Sequence, residues 1–337
     1  LHVDGASIRA RSFLLATGAS PAVPSIPGLE QAGFLTSTTA LDLQRVPESL
    51  VVIGSGYIAL ELGQLFRHLG SRVTLMQRSP RILKEYEPEV GAAVREMLAG
   101  QGIEFVTGAR FERVEGGPAG RRVHVEVGGE RRVVEGEALL VATGREPNTA
   151  ALRLHLAGVR VGERGEVVID EYGRTSNPRV FAAGDVTLGP QFVYVAAYEG
   201  ALVADNALNG AQRPIDLRVV PGVTFTNPQV ATVGLTEAQA RAAGYTIKSS
   251  VLPAKAVPRA LVNRDTHGVF KIVADAANDR ILGVHVVAEN AGDVIYAGVL
   301  AVKLNLTVRD LVETLAPYLT MAEGLKLAAQ TFGKDVA

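Results

Sequence analysis

The feature that most constrains the fold is a glycine pattern at residues 51–61, Val-Val-Ile-Gly-Ser-Gly-Tyr-Ile-Ala-Leu-Glu. The apolar run at 50–53 predicts a buried strand, and the apolar spacing after the glycines predicts a helix. Gly54 allows a tight turn, Gly56 lets a ligand approach the backbone, and Ala59 lets the helix pack closely on the strand. A G-x-G-x-x-A pattern between a strand and a helix therefore predicts a site for the pyrophosphate of a dinucleotide.

The residues after the next predicted strand, 72–76, indicate which dinucleotide this site prefers. Sites for NAD place Asp or Glu about 20 residues after the glycines, where the carboxylate binds ribose hydroxyls. Here the strand is followed by Gln77 and Arg78, and then by Arg81 and Lys84. Cations without a carboxylate suit the 2′-phosphate of NADPH, so we expect NADPH rather than NADH. A solvated basic loop without a ligand is the alternative.

Composition excludes several other classes of protein. The chain has 337 residues, 47% hydrophobic and 20% charged, which is enough for two or three domains. The formal charge of −1 and the absence of a long Lys/Arg run make nucleic acid an unexpected partner. No apolar stretch is long enough to span a membrane and no signal segment opens the chain, so we expect a soluble, cytoplasmic protein.

Cysteine is absent from the sequence. Disulfide scaffolds and cysteine metal sites are therefore excluded, and we expect no resident metal site in these residues. Any thiol chemistry must come from residues outside them. A hairpin turn at Asp4–Gly5, with a second arm expected to run through Ile8 to Leu15, suggests that the sequence begins inside a domain.

The rest of the chain is predicted to mix strands and helices. Strands are predicted at 12–17, around 105, and at 123–127, 133–134, 138–143, 167–170, 180–183, 270–273 and 281–287. Helices are predicted at 89–101 and 192–206, and from about 292, 308 and 319. A Pro-bounded linker at 214–221 precedes what we expect to be an α+β module. The strand ending Ala-Thr-Gly occurs at 16–18 and again at 142–144, which indicates two related nucleotide-binding folds.

A second candidate site lies at residues 175–185, where a turn leads into a short apolar strand that ends in Gly184 and Asp185. Asp185 can accept hydrogen bonds from ligand hydroxyls. The helix predicted to begin near Gln191 has an N-terminus that can stabilise negative charge on a reduced ring. Gly-Asp also occurs in ordinary turns, so spacing alone does not decide between a ligand site and a turn.

Four motifs in this order resemble the FAD-dependent pyridine nucleotide–disulfide oxidoreductases over essentially the whole chain. They are A-T-G at 16–18, G-x-G-Y-I-A-x-E at 54–61, A-T-G-R-x-P-N at 142–148 and A-A-G-D at 182–185. The resemblance implies an α/β fold with a split, Rossmann-like FAD-binding domain, an inserted Rossmann-like NADPH-binding domain and a C-terminal α+β dimerisation domain. It assigns residues 1–45 and 147–216 to the FAD domain, 46–146 to the NADPH domain and 217–337 to the interface domain.

The same resemblance implies roles for single residues. Tyr57 would cover the flavin when NADPH is absent, and Glu61 would lie near the nicotinamide. Further contacts with FAD or NADPH are implied for Thr17, Gly18, Ile58, Gly144, Arg145, Asp185 and Val193.

Within the family, the segments at 16–21, 191–197 and 317–332 are most similar to the mercuric reductases. Tyr318 stands where lipoamide and glutathione reductases have a histidine that acts on a dithiol, while Thr320 and Glu323 keep the family spacing. A phenol is a poor base at neutral pH, which disfavours a dithiol substrate. The resemblance implies catalytic roles for Tyr318, Glu323 and Glu61, with Tyr318 steering a thiolate complex of Hg(II). A tyrosine that only packs at a helix start is the alternative.

The resemblance also places functional residues outside the sequence. The family's first FAD fingerprint and C-x-x-x-x-C pair are expected before Leu1, and the vicinal cysteine pair of mercuric reductases after Ala337. The complete homodimer is expected to pass hydride from NADPH through FAD to a disulfide and then to Hg(II). One alternative is a flavin reductase of the same family, similar to dihydrolipoamide dehydrogenase, acting on a disulfide or a quinone. The other is a nucleotide-binding remnant without activity.

Overall fold

The computed structural model describes residues 2–117 and 120–334. The chain divides into two compact units, one formed by Leu1–Ala22 with Gly144–Val220 and the other by Val23–Thr143 with Pro221–Ala337. The expectations about what precedes Leu1 and follows Ala337 concern termini that lie outside the described residues. The division into four domain segments stays a prediction.

The glycine-pattern strand lies inside a four-stranded parallel sheet of the larger unit. The strands in spatial order are Ala138–Val141, Ser49–Ile53, Arg72–Gln77 and Ile103–Thr107. Leu50 and Val52 are buried on one face of the sheet, and Val51 and Ile53 are buried on the other. Because both faces are covered, this strand is a continuous apolar run.

Helices cover one face of this sheet and a smaller antiparallel sheet covers the other. The helices are Tyr57–His68 and Pro88–Gly100, the second starting with a proline suited to a first helical turn. The smaller sheet has the order Glu130–Gly136, Gly120–Val127, Ala109–Gly117. Two short helices, Leu29–Ala32 and Ser37–Leu41, precede the parallel sheet along the chain.

The C-terminal part of the larger unit is a five-stranded antiparallel sheet with helices, which is the predicted α+β module. The strand order is Gly222–Thr224, Gln229–Gly234, Ile281–Ala288, Val269–Asp275 and Ile247–Pro253. The helices are Glu237–Ala242, Pro258–Asn263, Ala291–Lys303, Val308–Glu313 and Glu323–Gln330, with a 3₁₀ turn at Ala254–Ala256. Ala291–Lys303 packs on the central strands of the sheet.

The smaller unit contains short strand pairs and one long helix. Phe13–Leu15 pairs in parallel with Val180–Ala182, Ala19–Pro21 pairs antiparallel with Arg145–Pro147, and His2–Val3 pairs antiparallel with Ala6–Ser7. The helix is Val193–Asn209, and 3₁₀ turns lie at Ala150–Leu152, Leu154–Ala157 and Gly184–Thr187. In the described part of the chain, no helix has the length and apolar character needed to cross a bilayer.

Two strand predictions in the smaller unit are wrong. The hairpin turn at Asp4–Gly5 is present, but its second arm is Ala6–Ser7 and does not continue to Leu15. The predicted strand at 167–170 is only an isolated bridge between Val161 and Val167. The N–H of Asp170 donates to the oxygen of Arg174 across the next turn, so no ladder with the segment around Val161 extends to residue 170.

Candidate functional site

The turn after strand Ser49–Ile53 depends on two glycines in different ways. Gly54 has a φ of 129°, and a Cβ atom there would lie 2.2 Å from the backbone oxygen of Ala142, so a larger residue does not fit. At Gly56 a Cβ atom would meet no atom within 4 Å. Ala59 is fully buried against the sheet. The turn is therefore tight at Gly54 and open at Gly56.

Helix Tyr57–His68 starts at the open side of this turn. Its N-cap is Gly56, and no side chain caps the first N–H groups of the helix. The hydroxyl of Ser55, a buried residue, has no hydrogen-bond partner among the described residues. Uncapped N–H groups and a buried unpaired hydroxyl are donors that an anion can satisfy. The turn thus offers donors for a pyrophosphate and space for it at Gly56.

The basic residues after strand Arg72–Gln77 lie on the surface. Lys84 Nζ lies 3.3 Å from Glu85 Oε1, and Arg81 donates to the backbone oxygen of Lys84 at 3.3 Å. The guanidinium of Arg78 forms no ion pair with any residue in the described ranges. Of these three cations, Arg78 keeps the most capacity for an anionic ligand.

Glu61 holds a segment from the C-terminal part of the same unit. Its carboxylate accepts a hydrogen bond of 2.7 Å from the N–H of Phe225. Burial raises the pKa of Glu61, and the Phe225 N–H acts in the opposite direction. Tyr57 and Ile58, at the start of the same helix, are half-buried.

In the smaller unit, Asn148 clamps the first A-T-G segment. Its side-chain amide donates to the backbone oxygen of Thr17 at 2.9 Å and accepts from the hydroxyl of Ser20 at 2.7 Å. Its backbone N–H donates to the oxygen of Gly18 at 2.9 Å, and its backbone oxygen accepts from the Thr17 hydroxyl at 2.9 Å. Asn148 is the last residue of the A-T-G-R-x-P-N motif, and no role was predicted for it from the sequence. The signal that pointed to it was the repeat of A-T-G with Pro and Asn after the second copy.

Open backbone lies on both sides of this clamp. Gly18 has a φ of 68° and Gly144 a φ of 134°, and a Cβ atom at either position would meet no atom within 4 Å. A positive φ favours glycine, and the empty surroundings leave room for a ligand close to the backbone.

Arg145 and Asp185 form the charged part of this region. The Arg145 guanidinium donates to the backbone oxygen of Ala19, and its Nε lies 3.8 Å from Asp185 Oδ2. Both side chains are about a quarter exposed, at 25% and 22%. Val193, the first residue of helix Val193–Asn209, is 87% exposed, and no side chain caps that helix. The aspartate and the helix N-terminus therefore both remain accessible to a ligand.

Comparison with known proteins identifies the family. The model of the pyridine nucleotide-disulphide oxidoreductases matches residues 1–200, and the model of the dimerisation domain of these proteins matches residues 220–329. The chain belongs to the pyridine nucleotide-disulphide oxidoreductase family. The predicted family and fold class are thereby confirmed.

Several relatives within the family are similar along the whole chain. The mercuric reductase of Lysinibacillus sphaericus is 63% identical over 336 residues, a match that covers 100% of this chain and 62% of the relative. The mercuric reductase of Streptomyces lividans is 50% identical, with 98% of this chain and 70% of the relative covered. The solved structure of the HOCl-induced flavoprotein disulfide reductase RclA from Escherichia coli has a TM-score of 0.88 and 32% identity, covering 96% of this chain and 74% of that one. The chain thus spans less than two thirds of the Lysinibacillus protein.

Membership of the family implies a flavin and a pyridine nucleotide as cofactors. The open turn at Gly56 leaves space for the pyridine nucleotide. In the smaller unit, the open backbone at Gly18 and Gly144 and the carboxylate of Asp185 suit a flavin. Which cofactor atoms each residue contacts stays a prediction.

The residues predicted to act on the substrate lie near the C-terminus of the family's dimerisation region. Tyr318 is 75% exposed. Glu323 begins helix Glu323–Gln330, and its Oε2 is buried without a hydrogen-bond partner among the described residues. No hydrogen bond joins Tyr318 to Glu323 within those residues. Their catalytic roles stay predictions.

Proposed function

We propose that this chain is the greater part of one subunit of a cytoplasmic, homodimeric flavoprotein that uses NADPH to reduce Hg(II). The observation that carries the proposal is the 63% identity over 336 residues to a protein named mercuric reductase. When bound, FAD would pass two electrons from NADPH to a disulfide, which is thereby reduced to a dithiol. The sequence contains no cysteine, so the dithiol would come from residues outside it. The dependence on NADPH, an intracellular reductant, is the reason to place the protein in the cytoplasm.

The turn at Gly54 and Gly56 would bind the pyrophosphate of NADPH. The uncapped N–H groups of helix Tyr57–His68 and the hydroxyl of Ser55 supply donors, and the helix dipole favours the negative charge. Arg78, with Lys84 nearby, would hold the 2′-phosphate that distinguishes NADPH from NADH.

At the other end of the nucleotide, three residues of the same helix would surround the nicotinamide. Tyr57 and Ile58 are half-buried at the start of the helix, where a planar ring can pack on them. Glu61 lies one turn further and is fixed by the N–H of Phe225. A residue fixed in this way can orient a bound ring without first losing side-chain entropy.

The flavin would be held by the smaller unit. Asp185 can accept hydrogen bonds from ribityl hydroxyls, while Arg145, whose Nε lies 3.8 Å from its Oδ2, helps to orient the carboxylate. Thr17, Gly18 and Gly144 would line the backbone side of the site. The N–H groups at Val193 would face the ring, where the helix N-terminus stabilises negative charge.

Substrate binding would involve Tyr318 and Glu323 at the partner subunit's flavin, as the family arrangement implies. An exposed tyrosine on a surface without a competing partner can steer a metal–thiolate complex, because its hydroxyl both donates and accepts hydrogen bonds. The dimer is supported by the match to the dimerisation-domain model and by large apolar side chains exposed in the same part of the chain. These side chains are Tyr296, Leu300, Leu304 and Leu315.

The proposal is tested with the full-length protein purified from cells. We expect bound flavin, and NADPH oxidation that requires Hg(II) in the presence of an excess of a small thiol. Lipoamide, a small disulfide and a quinone serve as competing electron acceptors, because the solved relative at 32% identity is named a disulfide reductase. Turnover with any of these and none with Hg(II) would assign the protein to another branch of the family. Absence of both flavin and turnover would indicate a remnant.

A further inference from the structure

A carboxylate is buried behind the proposed flavin site without a cation to pair with it. Glu199 lies on helix Val193–Asn209 and is 2% exposed. Its Oε2 accepts a hydrogen bond of 2.7 Å from the backbone N–H of Gly184. Within the described residues, no Lys, Arg or His lies within ion-pair distance of it.

Packing does not explain this glutamate. The core on this side of the helix is apolar and contains Phe181, Ala183, Leu202 and Val203. An apolar side chain would suit that core, whereas burying a carboxylate carries a large desolvation penalty. Burial accordingly raises the pKa of Glu199, against the lowering effect of the Gly184 N–H, and the charge of Asp185 raises it further. Because the buried carboxylate lowers the stability of the fold at this position, we look for a role of Glu199 other than packing.

The role is indicated by what Glu199 holds. Gly184 has a φ of 76°, and a Cβ atom there would lie 3.2 Å from the Cβ of Ala196 on the same helix. Strand Val180–Ala182 ends just before Gly184, and Asp185 follows it. The peptide that orients Asp185 is therefore pinned from the helix side by Glu199, while Arg145 lies on the side of the Asp185 carboxylate.

We propose that Glu199 is a positioning residue of the flavin site, which fixes the Gly184 peptide and thereby aims the Asp185 carboxylate at ligand hydroxyls. This inference rests on the proposed flavin-binding function. It assigns to Glu199 a binding role that acts through Asp185 rather than by contact with the ligand.

The variants separate hydrogen bonding, charge and packing. Glu199→Gln keeps an oxygen that accepts from the Gly184 N–H and removes the charge. Glu199→Asp keeps the charge but is one methylene too short to reach. Glu199→Ala removes both. Leu202→Ala is the matched control, because it removes a buried side chain from the same helix and core without touching Gly184.

The measurement is the Kd of FAD for the full-length protein stripped of flavin, read from the quenching of FAD fluorescence, with thermal unfolding recorded in parallel. We expect Glu199→Ala and Glu199→Asp to raise this Kd by about tenfold, as loss of a hydrogen bond to a charged group predicts. Glu199→Gln should stay within about threefold of the parent. Leu202→Ala should lower the unfolding temperature while its Kd for FAD stays within about threefold.

A double-substitution cycle tests whether Glu199 acts through Asp185. In an Asp185→Ala background, Glu199→Ala should change the Kd of FAD by less than about twofold, because the group it positions is gone. Additive losses would overturn the inference, and so would a Kd for Glu199→Ala or Glu199→Asp equal to that of the parent. If Glu199→Asp and Glu199→Ala do not fold, the Glu199→Gln variant decides. A tenfold rise in its Kd for FAD would overturn the inference. Failure of the parent protein to bind FAD would instead refute the proposed function.

Discussion

The side-chain amide of Gln64 pairs with both backbone polar groups of Asn227. Its Nε2 donates to the Asn227 oxygen at 2.8 Å, and its Oε1 accepts from the Asn227 N–H at 2.8 Å. Glu61, one turn earlier on the same helix, holds the N–H of Phe225 in the same way. The helix that begins at Gly56 is thus hydrogen-bonded to Phe225 and Asn227, two residues of the segment that connects strands Gly222–Thr224 and Gln229–Gly234.

This relationship predicts a stability loss on removal of the amide. Gln64→Leu has a similar shape but removes both hydrogen bonds to the Asn227 backbone, so we expect the free energy of unfolding to fall by about 2 kcal/mol. The measurement is urea unfolding of the full-length protein. Leu65→Ala, on the exposed side of the same helix, should cost less than half as much. Equal losses for the two variants would contradict the pairing.

In the proposed function, the preference for NADPH over NADH depends on Arg78. Arg78→Glu reverses the charge and should repel the 2′-phosphate. We expect the KM for NADPH to rise by about tenfold or more and the KM for NADH to change much less. Arg72→Glu is the control, because Arg72 is exposed at the opposite end of the same strand. The two coenzymes are compared by steady-state kinetics. A similar change in the KM values for NADPH and NADH would show that Arg78 does not bind the 2′-phosphate.

A buried charge cluster in the larger unit predicts a pH effect on stability. Lys271 is 1% exposed, and its Nζ lies 2.9 to 3.0 Å from carboxylate oxygens of Glu87, Glu89 and Glu237. Burial opposes ionisation of Glu237, but hydrogen bonds from Lys271 and Ser249 outweigh it and lower the pKa of Glu237 to about 2.

Because the folded-state pKa of Glu237 lies below its ordinary value of 4.5, the unfolded chain binds more protons in between. The stability that Glu237 contributes is therefore complete above pH 4.5 and is lost as the pH falls towards 2. Glu237→Gln should flatten this part of the curve of unfolding free energy against pH. Glu313→Gln, at an exposed ion pair with Arg309, should leave the slope unchanged. An unchanged slope in Glu237→Gln would contradict the lowered pKa.

The substrate steering that we propose for Tyr318 would depend on its hydroxyl. Tyr318→Phe should lower kcat/KM for Hg(II) by about tenfold while the rate of flavin reduction by NADPH is unchanged, because the two half-reactions use different residues. Stopped-flow absorbance separates these half-reactions. Tyr296→Phe, a second exposed tyrosine in the same module, should change neither rate. A slower flavin reduction in Tyr318→Phe would indicate a structural role.

The sequence predicted the parallel sheet better than the antiparallel ones. Ser49–Ile53 and Arg72–Gln77 are short apolar runs between glycines and helices, and each pairs with a neighbour in a repeated βαβ unit. Gln229–Gly234 and Ile247–Pro253 were not predicted, because threonine, serine and lysine interrupt their apolar pattern. Ala109–Gly117 was missed because charged residues occupy much of that strand.

Motifs located the candidate nucleotide turn, whereas the buried polar residues that support the candidate sites are evident only from the three-dimensional structure. Gln64, Glu199 and Lys271 lie at positions where helix or strand periodicity predicts an apolar residue. Each is explained by partners distant in sequence, at Asn227, Gly184 and the three carboxylates. A single sequence does not reveal such pairs, since hydrogen bonding across the fold leaves no periodic signal.

The central claim is that the open turn at Gly56 binds the nucleotide that reduces the flavin. Gly56→Val tests it directly, because its φ is negative and a Cβ atom there meets nothing within 4 Å, so the variant should fold as the parent does while its side chain fills the pyrophosphate space. The measurement is anaerobic titration of the full-length flavoprotein with NADPH, followed by the visible absorbance of the flavin. We expect the parent to be bleached and Gly56→Val to need roughly tenfold more NADPH, or more, for the same bleaching. Identical titration curves for two equally folded proteins would contradict the account.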